Sequence, residues 1–254
     1  MIRILLSGCC GKMGQAVAAA VQNRSGCEIA AGVDAQARQM PFPVFSSVKD
    51  CTVPCDVLID FSHPSLTQDL LAFITENHMP AVLCTTGLSE EQIAAIHEAS
   101  RQVPIFFSAN MSLGVNLMVA LAKQAAALLG EDFDVEIIEK HHNQKVDAPS
   151  GTALMLADAV SQELPYQAHV VYDRHSVRQK RDRREVGIHS VRGGNIVGEH
   201  EILFAGTDEV LSISHHASSK AVFAVGAVNA AVYLAGQQPG MYDMSRMLAD
   251  QKKA

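Results

Sequence analysis

The sequence predicts an α/β protein: a Rossmann-like doubly wound parallel sheet joined to an α+β domain with a mixed, largely antiparallel sheet. Three observations predict it. Residues 2–22 read as a strand, a glycine-rich turn and a helix. From there to about residue 107, β-prone apolar runs alternate with helical stretches of roughly 10–15 residues, the pattern of parallel βαβ units. After about residue 168 the texture changes to short strands divided by Gly, Asn and Asp turns, which read as antiparallel.

The chain has 254 residues, 48% of them hydrophobic and 19% charged, enough for one large domain or two modest ones with real cores. Its net charge of −7 argues against a dedicated nucleic-acid binder, because backbone binding needs a basic face. The N-terminal apolar run is too short for a signal peptide. No run reads as approaching the roughly 18 apolar residues of a membrane span. A cytoplasmic protein without a membrane partner is expected. Six cysteines (Cys9, Cys10, Cys27, Cys51, Cys55 and Cys84) fall in the first third without Cys-x-x-Cys spacing. In a reducing compartment they read as small buried apolar residues, and no metal is expected.

The first strand spans 2–6. Gly8-Cys9-Cys10-Gly11-Lys12-Met13-Gly14 follows and opens an alanine-rich helix over 15–22. Glycines spaced G-x-x-G-x-x-G allow a tight turn and a close backbone approach, and the helix N-terminus can receive a pyrophosphate. The spacing departs from the commoner G-x-G-x-x-G, but its position after a strand and before a helix is the right one. A second strand, 28–33, ends at Asp34, twenty residues past Gly14. A carboxylate there suits the adenosine ribose hydroxyls and repels the 2′-phosphate of NADP. Ala35 offers no compensating cation and Arg38 is the nearest one, so NADH is favoured over NADPH.

Further strands read over 56–61, 79–84 and 104–107, with helices over 66–77 and 89–101, the latter opened by Ser89 with Glu90-Glu91 in its first turn. Ligands in such sheets lie beyond the carboxyl ends of the strands. Phe61-Ser62-His63, Thr85-Thr86-Gly87 and Ala109-Asn110-Met111 all fall there and are expected to line a cofactor cleft, His63 as a turn residue rather than a catalyst.

Residues 108–112 read as a hinge before a helix over 115–129, and a second hinge lies near Ser218, so domain closure is expected. The domains then comprise 1–110 with 218–254, and 111–217. Within the latter, strands read over 168–172, 186–191, 196–204 and 210–215, with Gly193-Gly194-Asn195 and Thr207-Asp208 as hairpin turns. The basic run 174–184 lacks aromatics in an acidic protein. It reads as a mobile solvated loop, one that could close over an anionic substrate, ahead of an RNA patch. Ser218-Ser219-Lys220 caps a last long helix over 221–235, which with 242–248 returns to the first domain.

Between these parts lies the stretch from Glu139 to Ala153. An alternating strand over 133–138 delivers His141 and His142, then Lys145, into a turn holding Asp147 and Pro149, and Ser150-Gly151-Thr152 opens a helix. A proton donor, a fixed cation and a helix N-terminus within a dozen residues suit a small dianionic substrate. A plainer reading takes Ser150 as an N-cap and the histidines as polar residues at a strand end; the combination favours a site.

That stretch, His141-His142-x-x-Lys145-x-Asp147-Ala148-Pro149-Ser150-Gly151-Thr152, together with Gly8–Gly14, Asp60-Phe61-Ser-His-Pro64, Thr85-Thr86-Gly87, 108–112, Gly114-Val-Asn116 and 192–200, resembles the dihydrodipicolinate reductase family essentially end to end. The resemblance implies a nicotinamide-dependent reductase of two domains, a dinucleotide-binding one and a substrate-binding one that also forms a homotetramer. It implies a cyclic dicarboxylate substrate made from pyruvate and aspartate semialdehyde, and the product tetrahydrodipicolinate. Position by position, His141 becomes the general acid with Lys145 as its cationic partner, and His142, Lys145, Ser150, Gly151 and Thr152 bind substrate. Gly8, Gly11, Lys12, Met13, Gly14, Asp34, Phe61, Thr85, Thr86, Gly87, Ala109, Asn110 and Met111 hold the cofactor. Departures are Cys9-Cys10 where small residues are usual, His63 where arginine is frequent, and the missing arginine after Asp34. A semialdehyde dehydrogenase would share the glycine turn but not the histidine–lysine stretch. An NAD(H) sensor would need no proton donor. A zinc hydrolase using His141, His142 and His189 or His200 is weakest, since adjacent strand histidines point to opposite faces.

Overall fold

The structure, a computed structural model, describes residues 1–36 and 38–251. In chain order the elements are β1 (Ile2–Ser7), α1 (Lys12–Gln22), β2 (Cys27–Val33), β3 (Val44–Phe45), β4 (Val57–Asp60), α2 (Thr67–Glu76), β5 (Ala81–Leu83), α3 (Glu90–Ala99) and β6 (Pro104–Phe107). Then come α4 (Leu113–Leu129), β7 (Asp134–His141), α5 (Gly151–Ser161), β8 (His169–Val171), β9 (Glu185–Arg192), β10 (Gly198–Ala205) and β11 (Val210–Ala217). The last are α6 (Ala221–Leu234), β12 (Gly240–Tyr242) and α7 (Met244–Gln251). Two compact units result: Met1–Ser112 with the segment from Lys220 onward, and Leu113–Ser219.

The first unit is a seven-stranded sheet in the order β12-β6-β5-β4-β1-β2-β3, parallel at every pairing. Its central strands are buried from end to end, as in β4 (Val57, Leu58, Ile59, Asp60), because helices cover both faces. The chain starts at β1, runs outward to β3, then returns beside β1 as β4. That reversal opens a crevice above the carboxyl ends of β1 and β4. Capping chemistry marks the helices: Ser89 and Gln92 form a reciprocal capping box on α3. The Ala/Gly-rich α6 lies against α1, β4, β5 and β6, and its Gly226 is required there, since a Cβ would stand 1.7 Å from the Met111 carbonyl oxygen.

The second unit is a five-stranded sheet in the order β11-β10-β7-β9-β8. It is mixed, with β10 antiparallel to β7 and β11, and β9 parallel to β7 and β8. Inward residues Val135, Ile137, Val186, Ile188, Ile202 and Phe204 form one core with Met118, Ala122 and Ala126 of α4 and Leu156 and Val160 of α5.

Four expectations fail in this unit. The strands read as antiparallel after residue 168 are so only in part, since β8 pairs parallel with β9 and β9 parallel with β7. Gly193-Gly194-Asn195 is not a hairpin turn: β9 and β10 flank β7 on opposite sides, and the 193–197 segment crosses its end. Gly206 and Thr207-Asp208, by contrast, do turn β10 into β11, with the Gly206 N–H donating to the Glu209 carbonyl at 2.9 Å. The basic run is not a purely solvated loop. Arg181 donates to Glu136 (3.0 Å), Asp134 (2.7 Å) and the carbonyls of Val135 and Glu185, and Arg174 pairs with Glu185. Finally, α4 with the turn after it, Leu113–Asp132, does have the length and mean hydropathy (1.5) of a membrane-crossing helix. Its Met118, Ala122 and Ala126 pack instead into the core of the unit.

Candidate active site

The glycine turn is built by two close approaches. Gly8 has φ +76°, and a Cβ on it would stand 2.6 Å from the Phe61 carbonyl oxygen; one on Gly14 would stand 2.2 Å from the Gly8 carbonyl. Gly11 differs. Its φ of −73° suits any residue, and a Cβ would meet only the Gly8 carbonyl oxygen, at 3.3 Å. It is the N-cap of α1, and no side chain caps that helix. The first-turn amides of α1, which helix geometry leaves without acceptors inside the helix, therefore face a surface bare of Cβ. That cradle fits a pyrophosphate.

Asp34 closes the end of β2. Its Oδ2 accepts the Cys10 N–H (3.0 Å) and its Oδ1 the Gln36 N–H (2.9 Å), leaving a lone pair on each oxygen for ribose hydroxyls. Among the described residues, one set of potential metal ligands clusters, the Cys9 and Cys10 thiols with Asp34, within 4.8 Å. Burial, reinforced by Cys10, pushes the Cys9 thiol up to about 12, so it is a protonated core residue and a poor ligand.

Beside the turn a cleft of about 660 Å³ is lined by Met13, Phe61, Thr85, Thr86, Gly87, Ala109, Asn110 and Met111. Gly8, Gly11, Lys12, Gly14 and Asp34 are not among its lining residues. Lys220 and Phe223, at the start of α6, do line it, though nothing near them in sequence marks them for this role. Asp60 ties the two inner turns together: its carboxylate accepts the Ser62 N–H (3.0 Å) and the Thr85 hydroxyl (2.5 Å). His63 caps the short helical turn after β4, its Nδ1 accepting the Ser65 N–H at 3.2 Å.

In the second unit, β7 carries Val135, Ile137, Glu139 and His141 on its inward face, so the apolar alternation ends in a carboxylate and an imidazole. Glu139 is fully buried and His141 nearly so. Three N–H groups and one ring nitrogen converge on the carboxylate. Arg192 donates Nη1–H to Oε2 (2.8 Å) and Nη2–H to Oε1 (2.7 Å), Ser150 donates its amide to Oε1 (3.1 Å), and His141 Nδ1 lies 2.6 Å from Oε2. Burial alone would raise this carboxyl; the bonds from Arg192 and His141 outweigh it and hold Glu139 down at about 2. On the other side of the ring, His141 Nε2 lies 3.1 Å from where a Cβ of Gly198 would be.

His200 sits edge-to-face with His141, ring centroids 5.2 Å apart. Burial first, then the neighbouring His141, lowers it to about 4, so it is neutral near pH 7. Ser150 Oγ accepts the Ala153 N–H as N-cap of α5 and bonds His200 Nε2 at 2.9 Å. Gly151 follows with nothing within 4 Å of where a Cβ would be. His142 is half-buried, its carbonyl accepting the Lys145 N–H (3.1 Å), and Lys145 Nζ donates to both Asp147 oxygens at 2.8 Å. His141, Ser150 and the Gly151 end of α5 thus converge around Glu139, with Lys145 on the connecting turn. Thr152 lies in the first turn of α5. Glu139 and Arg192 lie within stretches the sequence singles out but had no role there, and His200 was read only as a candidate zinc ligand. His189, which bonds Glu136 at 2.8 Å, is engaged elsewhere.

A parallel sheet with this glycine turn, a carboxylate closing the second strand, and a separate buried imidazole define a nicotinamide-nucleotide-dependent oxidoreductase of the Rossmann type. Comparison with known proteins places it further. Models of the dihydrodipicolinate reductase N-terminus and C-terminus match residues 2–111 and 114–248. The 4-hydroxy-tetrahydrodipicolinate reductase of Caldanaerobacter subterraneus subsp. tengcongensis is 49% identical over 248 residues, covering 98% of both chains. That of Clostridium tetani is 48% identical over 249 residues, covering 98% of this chain and 97% of its own. A dipicolinate-bound dihydrodipicolinate reductase from Paenisporosarcina sp. TG-14 superposes with a TM-score of 0.81 at 27% identity, covering 96% of this chain and 97% of its own. A myo-inositol dehydrogenase from Corynebacterium glutamicum, at 16% identity and a TM-score of 0.58, shares the fold alone. The chain belongs to the dihydrodipicolinate reductase family. It is an oxidoreductase of amino-acid biosynthesis with a nicotinamide-nucleotide-binding Rossmann domain.

Proposed function

We propose that this reductase converts 4-hydroxy-tetrahydrodipicolinate to tetrahydrodipicolinate in diaminopimelate and lysine biosynthesis, with His141 delivering the proton. The carrying observation is the buried His141 ring, held through Nδ1 by an anionic Glu139 beside an unobstructed helix start and a lysine. Bound nicotinamide supplies the hydride. Loss of the 4-hydroxyl as water gives a conjugated cyclic imine; hydride addition to it leaves an electron-rich enamine, which is protonated at the neighbouring carbon, and an imidazole suits that step near neutral pH. His200 cannot serve, since it is neutral at that pH and its Nε2 is occupied by Ser150. Lys145, His142, Ser150, Gly151 and Thr152 hold the substrate carboxylates, and the dipicolinate carried by the solved relative is a ligand of that class.

In this reading residues 1–110 with 218–254 bind the nucleotide through Gly8, Gly11, Lys12, Met13, Gly14, Asp34, Phe61, Thr85–Gly87 and Ala109–Met111, while residues 111–217 bind substrate. Asp34 followed by Ala35 favours NADH over NADPH. The second unit also forms a homotetramer, whose sedimenting mass tests it; Val191, Val210 and Leu211 are exposed on its sheet, and β11 is an edge strand. Six free cysteines suit a reducing, cytoplasmic setting.

The test is oxidation of NADH and NADPH with substrate generated in place by its synthase from pyruvate and aspartate semialdehyde. Turnover is expected with both, faster with NADH, and His141→Gln should lower kcat by about 10²–10⁴-fold. Turnover within a few-fold of wild type in that variant removes His141 as the acid. Nucleotide binding without turnover in the wild type points to a sensor.

A further inference from the structure

We infer that Glu139 and Arg192 are positioning residues for the proton donor: the pair keeps a proton on His141 Nδ1, leaving Nε2 as the atom that exchanges a proton with substrate. This rests on the reading of His141 as the acid and adds to it which ring atom acts and what selects it.

A carboxylate has no structural reason to occupy the inward phase of β7. The two preceding inward positions, Val135 and Ile137, belong to the apolar core, and a third apolar side chain would continue it. Placing a charge there carries a desolvation cost that only full pairing offsets. The parallel register of β7 and β9 sets His141 opposite Arg192, which brings the guanidinium fork alongside the carboxylate. Arg192 and the Ser150 amide would satisfy Glu139 by themselves, yet the shortest contact of the set, 2.6 Å, is the one to His141 Nδ1.

Its bonds hold the Glu139 carboxyl far below the working pH. It therefore remains an acceptor and takes no proton from the ring. An anionic acceptor at Nδ1 admits only a donor there, so after Nε2 gives up its proton the neutral ring is left with its hydrogen on Nδ1. Gly198 leaves Nε2 uncovered by a side chain on the far edge of the ring. Arg192 Nη2 also donates to the Asp147 carbonyl at 2.7 Å, so one guanidinium fixes both the histidine's partner and the turn that carries Lys145.

The test reads the ring directly, without substrate. The 254-residue chain is labelled with ¹⁵N-histidine, the His141 resonances are assigned by their loss in His141→Gln, and spectra are taken over a pH series into the alkaline range. The wild-type ring should carry its proton on Nδ1. Glu139→Gln should abolish that preference and lower kcat about 10²-fold with KM for NADH within a few-fold of wild type; Glu139→Asp should restore part of both. Should Glu139→Gln fail to fold because Arg192 is left unpaired, the double variant Glu139→Gln/Arg192→Gln removes both charges together and is expected to give the same spectrum. A wild-type ring protonated on Nε2, or an unchanged tautomer in folded Glu139→Gln or in the double variant, overturns the inference. Because the spectrum needs no turnover, that failure is distinct from a failure of the proposed reaction, which the His141→Gln kinetics report.

Discussion

Lys145 meets two demands at once. Its ammonium is bound by both oxygens of Asp147 and its side chain is only 20% exposed, so it is a fixed cation rather than a free arm. An ammonium has three donors, and two are engaged by Asp147, leaving one for a substrate carboxylate. A charge-assisted hydrogen bond of that kind contributes about 1.5–3 kcal/mol, so Lys145→Ala should raise the substrate KM by about 10- to 100-fold and lower kcat as well. An unchanged KM in steady-state kinetics would mean that Lys145 serves only to hold Asp147. Lys145 and His141 were legible in sequence because His141 ends a strand and Lys145 lies on the short turn that joins that strand to a helix. Glu139 left a fainter signal: a lone acid at an inward position of an otherwise apolar alternation. Arg192 opened one of the stretches that carry the family resemblance but had no role there, since its place beside Glu139 depends on the pairing of two strands that begin 51 residues apart.

At the scale of elements, the glycines of the first turn divide by what each one avoids. Gly14 avoids its own backbone, because a Cβ would overlap the Gly8 carbonyl. Gly11 avoids nothing comparable within the chain, so its bare surface serves a ligand. Gly11→Ala should therefore lower the melting temperature less than Gly14→Ala does and weaken NADH binding at least about tenfold, a loss of about one to two kcal/mol. Gly14→Ala should lower the melting temperature and disturb the turn itself. Equal destabilisation by the two substitutions, or undiminished NADH affinity in Gly11→Ala, would sink the pyrophosphate cradle at that position. The parallel sheet was legible throughout because each βαβ unit is local, and only two-residue β3 and the short β12 escaped. The hairpin expected at Gly193-Gly194-Asn195 failed for the opposite reason. Turn chemistry reports that the chain turns there, but not that β7 lies between the two strands it joins. The basic run was misread similarly: Arg181 finds its partners on β7, at Glu136 and Asp134.

For the molecule as a whole, the buried histidine of the site makes stability depend on pH within the physiological range. His200 has an ordinary value of 6.5 and is held at about 4 in the fold, first by burial, then by His141, with His215 and Lys145 adding to it and Glu139 opposing. A folded value below the unfolded one means that the unfolded chain binds the proton more readily. Stability is then fully present above about pH 6.5 and is lost as pH falls toward 4. Across the interval from about pH 7 to pH 5, this one group should lower the unfolding free energy by about 2 kcal/mol, and His215, shifted the same way by burial, adds to it. The depressed carboxyls of Glu139, Glu136 and Asp147 do not interfere, since their contributions are lost only below their unfolded values, nominally 4.5 for the two glutamates and 3.8 for the aspartate. Denaturant unfolding at a series of pH values should show the slope in the wild type and a much flatter curve in His200→Gln, whose amide can still bond Ser150. Parallel slopes in the two proteins would show that His200 takes up its proton without unfolding the chain. A protonated His200 would then stand beside His141 as a second possible donor, and the assignment of His141 as sole proton donor would fall with the neutrality of its neighbour.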